Sequence, residues 1–232
     1  MDYSQHGKLA PWAWLTAHLR GAGEVVPRLV MRIVMGWEFW ESGLEKYNGD
    51  NWFADVMGNF PYPFNVIPAD ISWGIATWFE LVGAVLLWLG LATRFTAFSL
   101  LVLTFVATAA VHWPDMITMW GDLLKGYSVS DHGFGNFKLP LLFAVMLLPL
   151  IFNGAGRFSL DYLLSRALEL EMPAPGVSDL WSASLAALIL GIPMTMLVPP
   201  LGIGLLVIAL VAGGLAVWHP ATRPAFLKAR SA

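Results

Sequence analysis

Apolar residues run through this chain in long blocks broken by short polar or Gly/Pro punctuation, and crossing a hydrocarbon layer takes about 20 mostly apolar residues. Six stretches read as helices of that kind: Val25 to Gly43, Ile71 to Leu91, Phe95 to Trp113, Phe137 to Phe152, Leu180 to Val198 and Leu201 to Trp218. The first carries Arg28, Arg32, Glu38 and Glu41, but these fall on restricted faces, so it is still read as a span. Gly90 to Arg94 predicts a tight hairpin between the second and third helices, and Pro199-Pro200 predicts a break between the last two. The expected fold is an all-α polytopic membrane bundle of six transmembrane helices.

Composition agrees with lipid as the solvent. Hydrophobic residues make up 57% and charged residues 12% of the 232 residues, against about 25% charged in an ordinary soluble domain. The 12 Trp and 14 Phe can supply headgroup-level anchors. Basic residues set the orientation. Lys8, Arg20, Arg28, Arg94, Arg157, Arg166, Arg223, Lys228 and Arg230 fall on one side, and Lys46, Lys125 and Lys138 on the other. That bias predicts both termini in the cytoplasm. The first two dozen residues, with Pro11, His18 and Arg20, do not read as a cleaved signal, and Pro11 to Leu15 is expected at the interface. The outer connections Leu44 to Asp70 and Pro114 to Gly135, rich in aromatics, Gly and Pro, are expected to fold back onto the bundle.

With no cysteine the chain cannot form a disulfide or a thiol redox pair of its own, and no basic block or zinc spacing points to nucleic acid. Candidate chemistry therefore rests on charges within the spans, which are costly there and usually face the bundle interior. On the first helix Arg28, Arg32 and Lys46 form one stripe, with Glu38, Glu41 and Glu45 on a neighbouring side. Glu80 is the central carboxylate of the second helix, and matching the two spans by depth puts it roughly 6 Å from the level of Arg32. An Arg32–Glu80 pair is expected, either as a neutral structural pair that fixes helix register or as part of a proton or quinone-headgroup site. Glu38 and Glu41 lie nearer the outer surface, within reach of water.

His112, Met116 and Met119 would share a face if the third helix continued past Pro114, with His132 nearby, and imidazole plus thioether suits Cu(I). Met at helical spacing is more often apolar interface, and Pro114 is a helix breaker, so no bound metal is expected there. A bis-His haem site lacks a second imidazole within a span. Gly154 to Asp161 lacks the strand and lysine of a phosphate loop; it reads as a helix-ending turn in which Ser159 caps an amphipathic helix, Leu160 to Leu170.

Three segments, Arg32 to Gly43 with Lys46, Phe79 to Ala84 continuing through Leu89 to Arg94, and Gly154 to Asp161, resemble in order and spacing the DoxX family of bacterial membrane proteins. The resemblance covers Pro27 to Leu164 and implies a four-helix core. It divides the chain into an interfacial segment, 1–24, a DoxX-like bundle, 25–164, a cytoplasmic connection, 165–179, and a C-terminal hairpin and tail, 180–232. The family takes its name from the related subunit of an archaeal thiosulfate:quinone oxidoreductase. Other members are linked to membrane redox and oxidative-stress complexes, and some occur beside copper-handling peptide systems. The resemblance implies a bacterial inner-membrane protein with Arg32, Glu80 and Arg94 as shared positions. Together with Glu38 these form the candidate polar pocket. The function expected is that of a membrane subunit of a redox system, itself non-catalytic, that works with a partner protein or a second copy. No tightly bound cofactor is expected, and quinone is the candidate ligand. The alternatives are a scaffold or assembly factor, and a small transporter or metal-handling protein.

Overall fold

The computed structural model describes residues 4–114, 117, 119–130, 133–170 and 179–218, with side chains from residue 11 onward. Among these, ten α-helices follow one another: α1 Ser4–Gly23, α2 Val26–Asn48, α3 Phe53–Val56, α4 Ala69–Leu89, α5 Thr93–Ala107, α6 Trp120–Gly126, α7 Lys138–Asn153, α8 Leu160–Ala167, α9 Leu180–Leu197 and α10 Pro199–Trp218. No strand occurs among the described residues. Helix α5 runs on through a π-helical turn, Thr108–His112, before the chain turns extended at Trp113.

Helices α2, α4, α5 and α7 pack as a four-helix bundle. Its core is Met35 and Phe39 of α2, Ala84 and Leu87 of α4, Ala97, Leu100 and Leu101 of α5, and Ala144, Leu147, Leu150 and Ile151 of α7. Small residues let α2 and α4 approach closely. A Cβ added at Gly43 would stand 2.9 Å from Leu81 Cγ, and one at Gly36 would stand 2.4 Å from the Trp88 indole nitrogen. This use of small residues is the packing expected where helices associate in lipid without a hydrophobic driving force. The α9–α10 hairpin leans on α5, and Pro199-Pro200 opens α10 directly after α9 ends, as the sequence predicts.

Among the described residues, four helical stretches are long and apolar enough to cross a membrane: Ala69–Leu89, Thr93–His112, Leu180–Leu197 and Pro199–Trp218. Helix α7 is apolar but has only 16 residues, and α2 is long enough but too charged. Both are nevertheless integral to the bundle. At one end, here the lysine end, the connection after α2 folds back as expected: Phe53 and Phe60 pack against Ala76, Val106 and Ala110. At the opposite, arginine end, α4 stops at Gly90, whose φ of +64° lets its N–H and that of Leu91 reach back to Leu87 and Leu86 carbonyls.

A Cβ at Gly90 would also lie 2.6 Å from both Arg32 Cζ and Ser159 Cβ. Gly90→Ala therefore combines a strained left-handed backbone with a collision against two packed groups. We expect it to lower stability by about 2 kcal/mol or more, read as a fall in the thermal midpoint of the detergent-solubilised protein; an unchanged midpoint would contradict this account of the turn.

Candidate functional site

Among the described residues Arg32 is the most buried charged side chain, 1% exposed. It does not pair with Glu80, which corrects the expectation from the sequence. Its Nε donates to the Leu87 carbonyl at 2.7 Å and its Nη2 to the Trp88 carbonyl at 2.7 Å, while Nη1 donates to Phe158 at 2.7 Å and Ala155 at 3.1 Å. The guanidinium thus gives the Trp88 carbonyl a donor at the C-terminus of α4, adds a second donor to the Leu87 carbonyl beside the Gly90 N–H, and ties both to the loop after α7. Arg94 does the same for α7. Its Nη1 donates to Ile151 and Phe152 carbonyls at 2.8 and 2.6 Å. Asp161 completes the set from the other direction, its carboxylate accepting from the Ala92 and Thr93 N–H groups at 2.7 and 2.9 Å, which caps the N-terminus of α5. Ser159 caps α8 by accepting from Tyr162 N at 3.1 Å, as predicted, although α8 ends at Ala167 rather than Leu170.

Glu80 lies at another level. A Cβ at Gly43 would be 3.0 Å from Glu80 Cβ, and Gly43 is eleven residues beyond Arg32, roughly 16 Å along α2. The depth match fails because α2 overhangs α4: Arg32, more than a turn inside α2, is already level with Leu87 and Trp88 at the end of α4. The partner of Glu80 is Lys46, with Nζ 3.0 Å from Oε1 and 2.9 Å from Oε2. Lys46 also donates to Ser42 Oγ at 2.8 Å. The two charged side chains are 15% and 8% exposed; Tyr47 and Trp78, their near neighbours in sequence, pair with each other at the exposed surface, ring centroids 6.1 Å apart. The stripe of Arg28, Arg32 and Lys46 held the right partner; the position along the helix decided which basic residue met the carboxylate.

The four residues of the candidate pocket are therefore divided. Arg32 grips the loop after α7 and Arg94 the last turn of α7, both at the arginine end, and Glu80 sits with Lys46 near the middle of α4. Glu38, half-buried on α2, has no hydrogen-bond or ion-pair partner among the described residues; Glu41 and Glu45 on the same side are exposed. This acidic side faces away from α4.

His112 and Met119 do not share a helix face, because the helix ends at His112. His112 Nδ1 pairs with Asn136 Oδ1 at 2.7 Å, Met119 is exposed at the start of α6, and Met116 and His132 lie outside the described residues. No group of three or more His, Cys, Asp or Glu capable of holding a metal occurs among the described residues. A hollow of about 380 Å³, lined by Asn59, Ala110, Trp113, Pro114 and Gly135 among others, flanks this segment.

These geometries meet the comparisons with known proteins. The family model described as DoxX matches residues 28–113, which span α2 to the π turn. An uncharacterized protein of Haemophilus influenzae is 46% identical over 148 residues, covering 64% of this chain and 89% of that relative. No solved structure matches the chain. The α2–α4 packing and the Gly90 turn lie within the matched segment, the cap partners at residues 151–161 lie beyond it, and the chain belongs to the DoxX family of membrane proteins.

Proposed function

We propose that this protein is the membrane subunit of a redox system, and that it binds a quinone headgroup at the Lys46–Glu80–Ser42 cluster while a partner protein carries the electrons. The observation that carries the reading is the Lys46–Glu80 ion pair, enclosed between α2 and α4 at about half the length of a membrane-spanning helix. A quinone ring needs a hydrogen-bond donor for each carbonyl, a group able to accept or release a proton, and flat apolar neighbours. Lys46 Nζ is a donor, the Ser42 hydroxyl, which accepts from Lys46, can turn its own proton to a ligand, and Glu80 is the proton-exchanging group; Tyr47 and Trp78, exposed on the outer surface, leave the apolar surroundings to the bundle and lipid. Bound there, quinone would supply the two-electron chemistry. The chain would supply orientation and a proton site.

The partner is the second element of the proposal. Glu41 and Glu45 are exposed and Glu38 is half-buried on the outward side of α2, close to the level of Glu80. An acidic side chain in mid-membrane costs about 2.5–3.5 kcal/mol when it faces lipid, so a basic or polar helix of another protein covering this side relieves a penalty that lipid would leave. The same side favours the alternative of a scaffold that only docks that partner. On either reading the protein is multi-pass in the bacterial inner membrane, with α2 and α7 crossing alongside the four apolar helices and both termini cytoplasmic.

Quinone binding separates the two. Titration of the purified chain with a short-tailed ubiquinone, followed by tryptophan fluorescence, is expected to saturate. The Lys46→Met/Glu80→Gln double variant should weaken binding by about tenfold, the scale of one lost charge-assisted hydrogen bond. Equal affinity in the two proteins would remove the quinone site and leave the scaffold reading.

A further inference from the structure

We propose that the arginine end binds the phosphate of an anionic phospholipid, with Arg28, Arg157 and Arg166 as its cationic cradle and the leucines of α8 seated at the edge of the hydrocarbon.

The argument starts with the sidedness of α8. Leu160, Leu163, Leu164, Ala167 and Leu168 occupy one side of the helix, and Tyr162, Ser165 and Arg166 occupy the other. Leu163 and Leu168 are 60% and 66% exposed, and Phe158 just before the helix is 67% exposed. The helix is nevertheless fixed. Asp161 anchors it to the N-terminus of α5, the Asp161 N–H donates to Gly90 O at 2.9 Å, and Ser159 caps it. A short amphipathic helix held at the ends of spanning helices, with its apolar side bare of protein, is placed to lie in the interfacial plane, leucines toward the acyl chains and polar side toward the headgroups.

The charge at that level is positive. A Cβ at Gly156 would be 3.3 Å from Arg28 Cδ, so Arg28 adjoins the residue preceding Arg157. Arg157 and Arg166 both act electrostatically on the Tyr162 hydroxyl, to which Arg166 Nη1 donates at 3.4 Å. Arg28 and Arg157 have no hydrogen-bond or ion-pair partner among the described residues. The carboxylates at this end do not neutralise them: Asp161 is taken up by the Ala92 and Thr93 N–H groups, while Glu24 and Glu169 are exposed and form no ion pair with any of the three. Of the three arginines, Arg166 lines a surface hollow of about 430 Å³, which it shares with Tyr162, Glu169 and Leu170. Guanidinium groups bind phosphate oxygens in a forked, charge-assisted geometry. Their position beside exposed leucines selects a phosphate that carries acyl chains over one free in water.

Native mass spectrometry of the full chain in neutral detergent tests this, with phosphatidylglycerol, phosphatidylcholine or inorganic phosphate added. Phosphatidylglycerol should be retained in preference to phosphatidylcholine, and Arg157→Gln/Arg166→Gln should reduce its retention, by about fivefold for each arginine removed. Inorganic phosphate at the same concentration should not displace it. Should the double variant fold poorly, Arg166→Gln alone, whose described contact is the half-buried Tyr162, reads the same effect. Equal retention of the two lipids, undiminished retention in the variants, or displacement by inorganic phosphate would each overturn the proposal.

Discussion

Arg32→Leu is expected to be the most damaging single substitution in the protein, lowering stability by at least about 4 kcal/mol. Four hydrogen bonds to main-chain carbonyls converge on its guanidinium, each a charge-assisted bond of the kind worth roughly 1.5–3 kcal/mol. Their effects do not simply add, because one loss loosens the others. Leucine would fill the space and leave the Leu87, Trp88, Ala155 and Phe158 carbonyls without this donor in a site 1% exposed, where water cannot readily take over. Arg32→Lys keeps the charge but offers a single ammonium, too compact to span the end of α4 and the 155–158 loop together. It should fall between Leu and wild type. Arg94→Leu frees only two carbonyls, one of them in an exposed setting, and should cost less than Arg32→Leu. Thermal unfolding of the four proteins in one detergent checks the order, and an Arg32→Leu midpoint within a degree or two of wild type would refute the capping role.

That role bears on what a sequence can disclose. The helices were legible because lipid imposes long apolar blocks, and because Gly90, Pro199 and Ser159 carry turn and cap chemistry that depends only on neighbours in the chain. The C-cap at Gly90 and the Ser159 cap both appear where that chemistry puts them. The partners of Arg32 were not legible in the same way. Its acceptors are main-chain carbonyls 55 to 126 residues away, and a carbonyl leaves no trace in residue identity. Among charged side chains matched by depth, the sequence presents Glu80 instead.

The Lys46–Glu80 pair shows a different limit. Both residues stand out in the sequence, and Lys46 shares a stripe with Arg32. What decided between the two basic residues was the offset of α2 against α4, set by the close approach at Gly36 and Gly43 and by the overhang of the first turns of α2. Packing of that kind has no one-dimensional signature. The metal reading depended on a helix running through Pro114, and the helix ends before it, with Trp113 extended at φ −82°, ψ 140° as residues before proline prefer.

The second large effect is expected at that pair, and its sign pattern matters more than its size. Glu80→Gln alone would leave the Lys46 ammonium enclosed with only Ser42 to stabilise it, and Lys46→Met alone would leave a carboxylate 8% exposed without its counter-charge. Breaking one partner of a buried pair typically costs about 3–5 kcal/mol, whereas replacing both with neutral groups of similar shape is often close to harmless. Each single variant should therefore unfold well below wild type, and Lys46→Met/Glu80→Gln should recover most of the loss. Thermal midpoints of the four proteins, completed by denaturant titration, give the coupling directly. Losses that add would mean that the two charges are stabilised independently, against the 2.9 Å contact between them. Recovery of stability in the double variant also sharpens the functional test. A protein that is folded as well as wild type but no longer binds quinone has lost the site and not the fold. One that is folded and binds normally shows that the pair is there to neutralise two charges and set the register of α2 on α4.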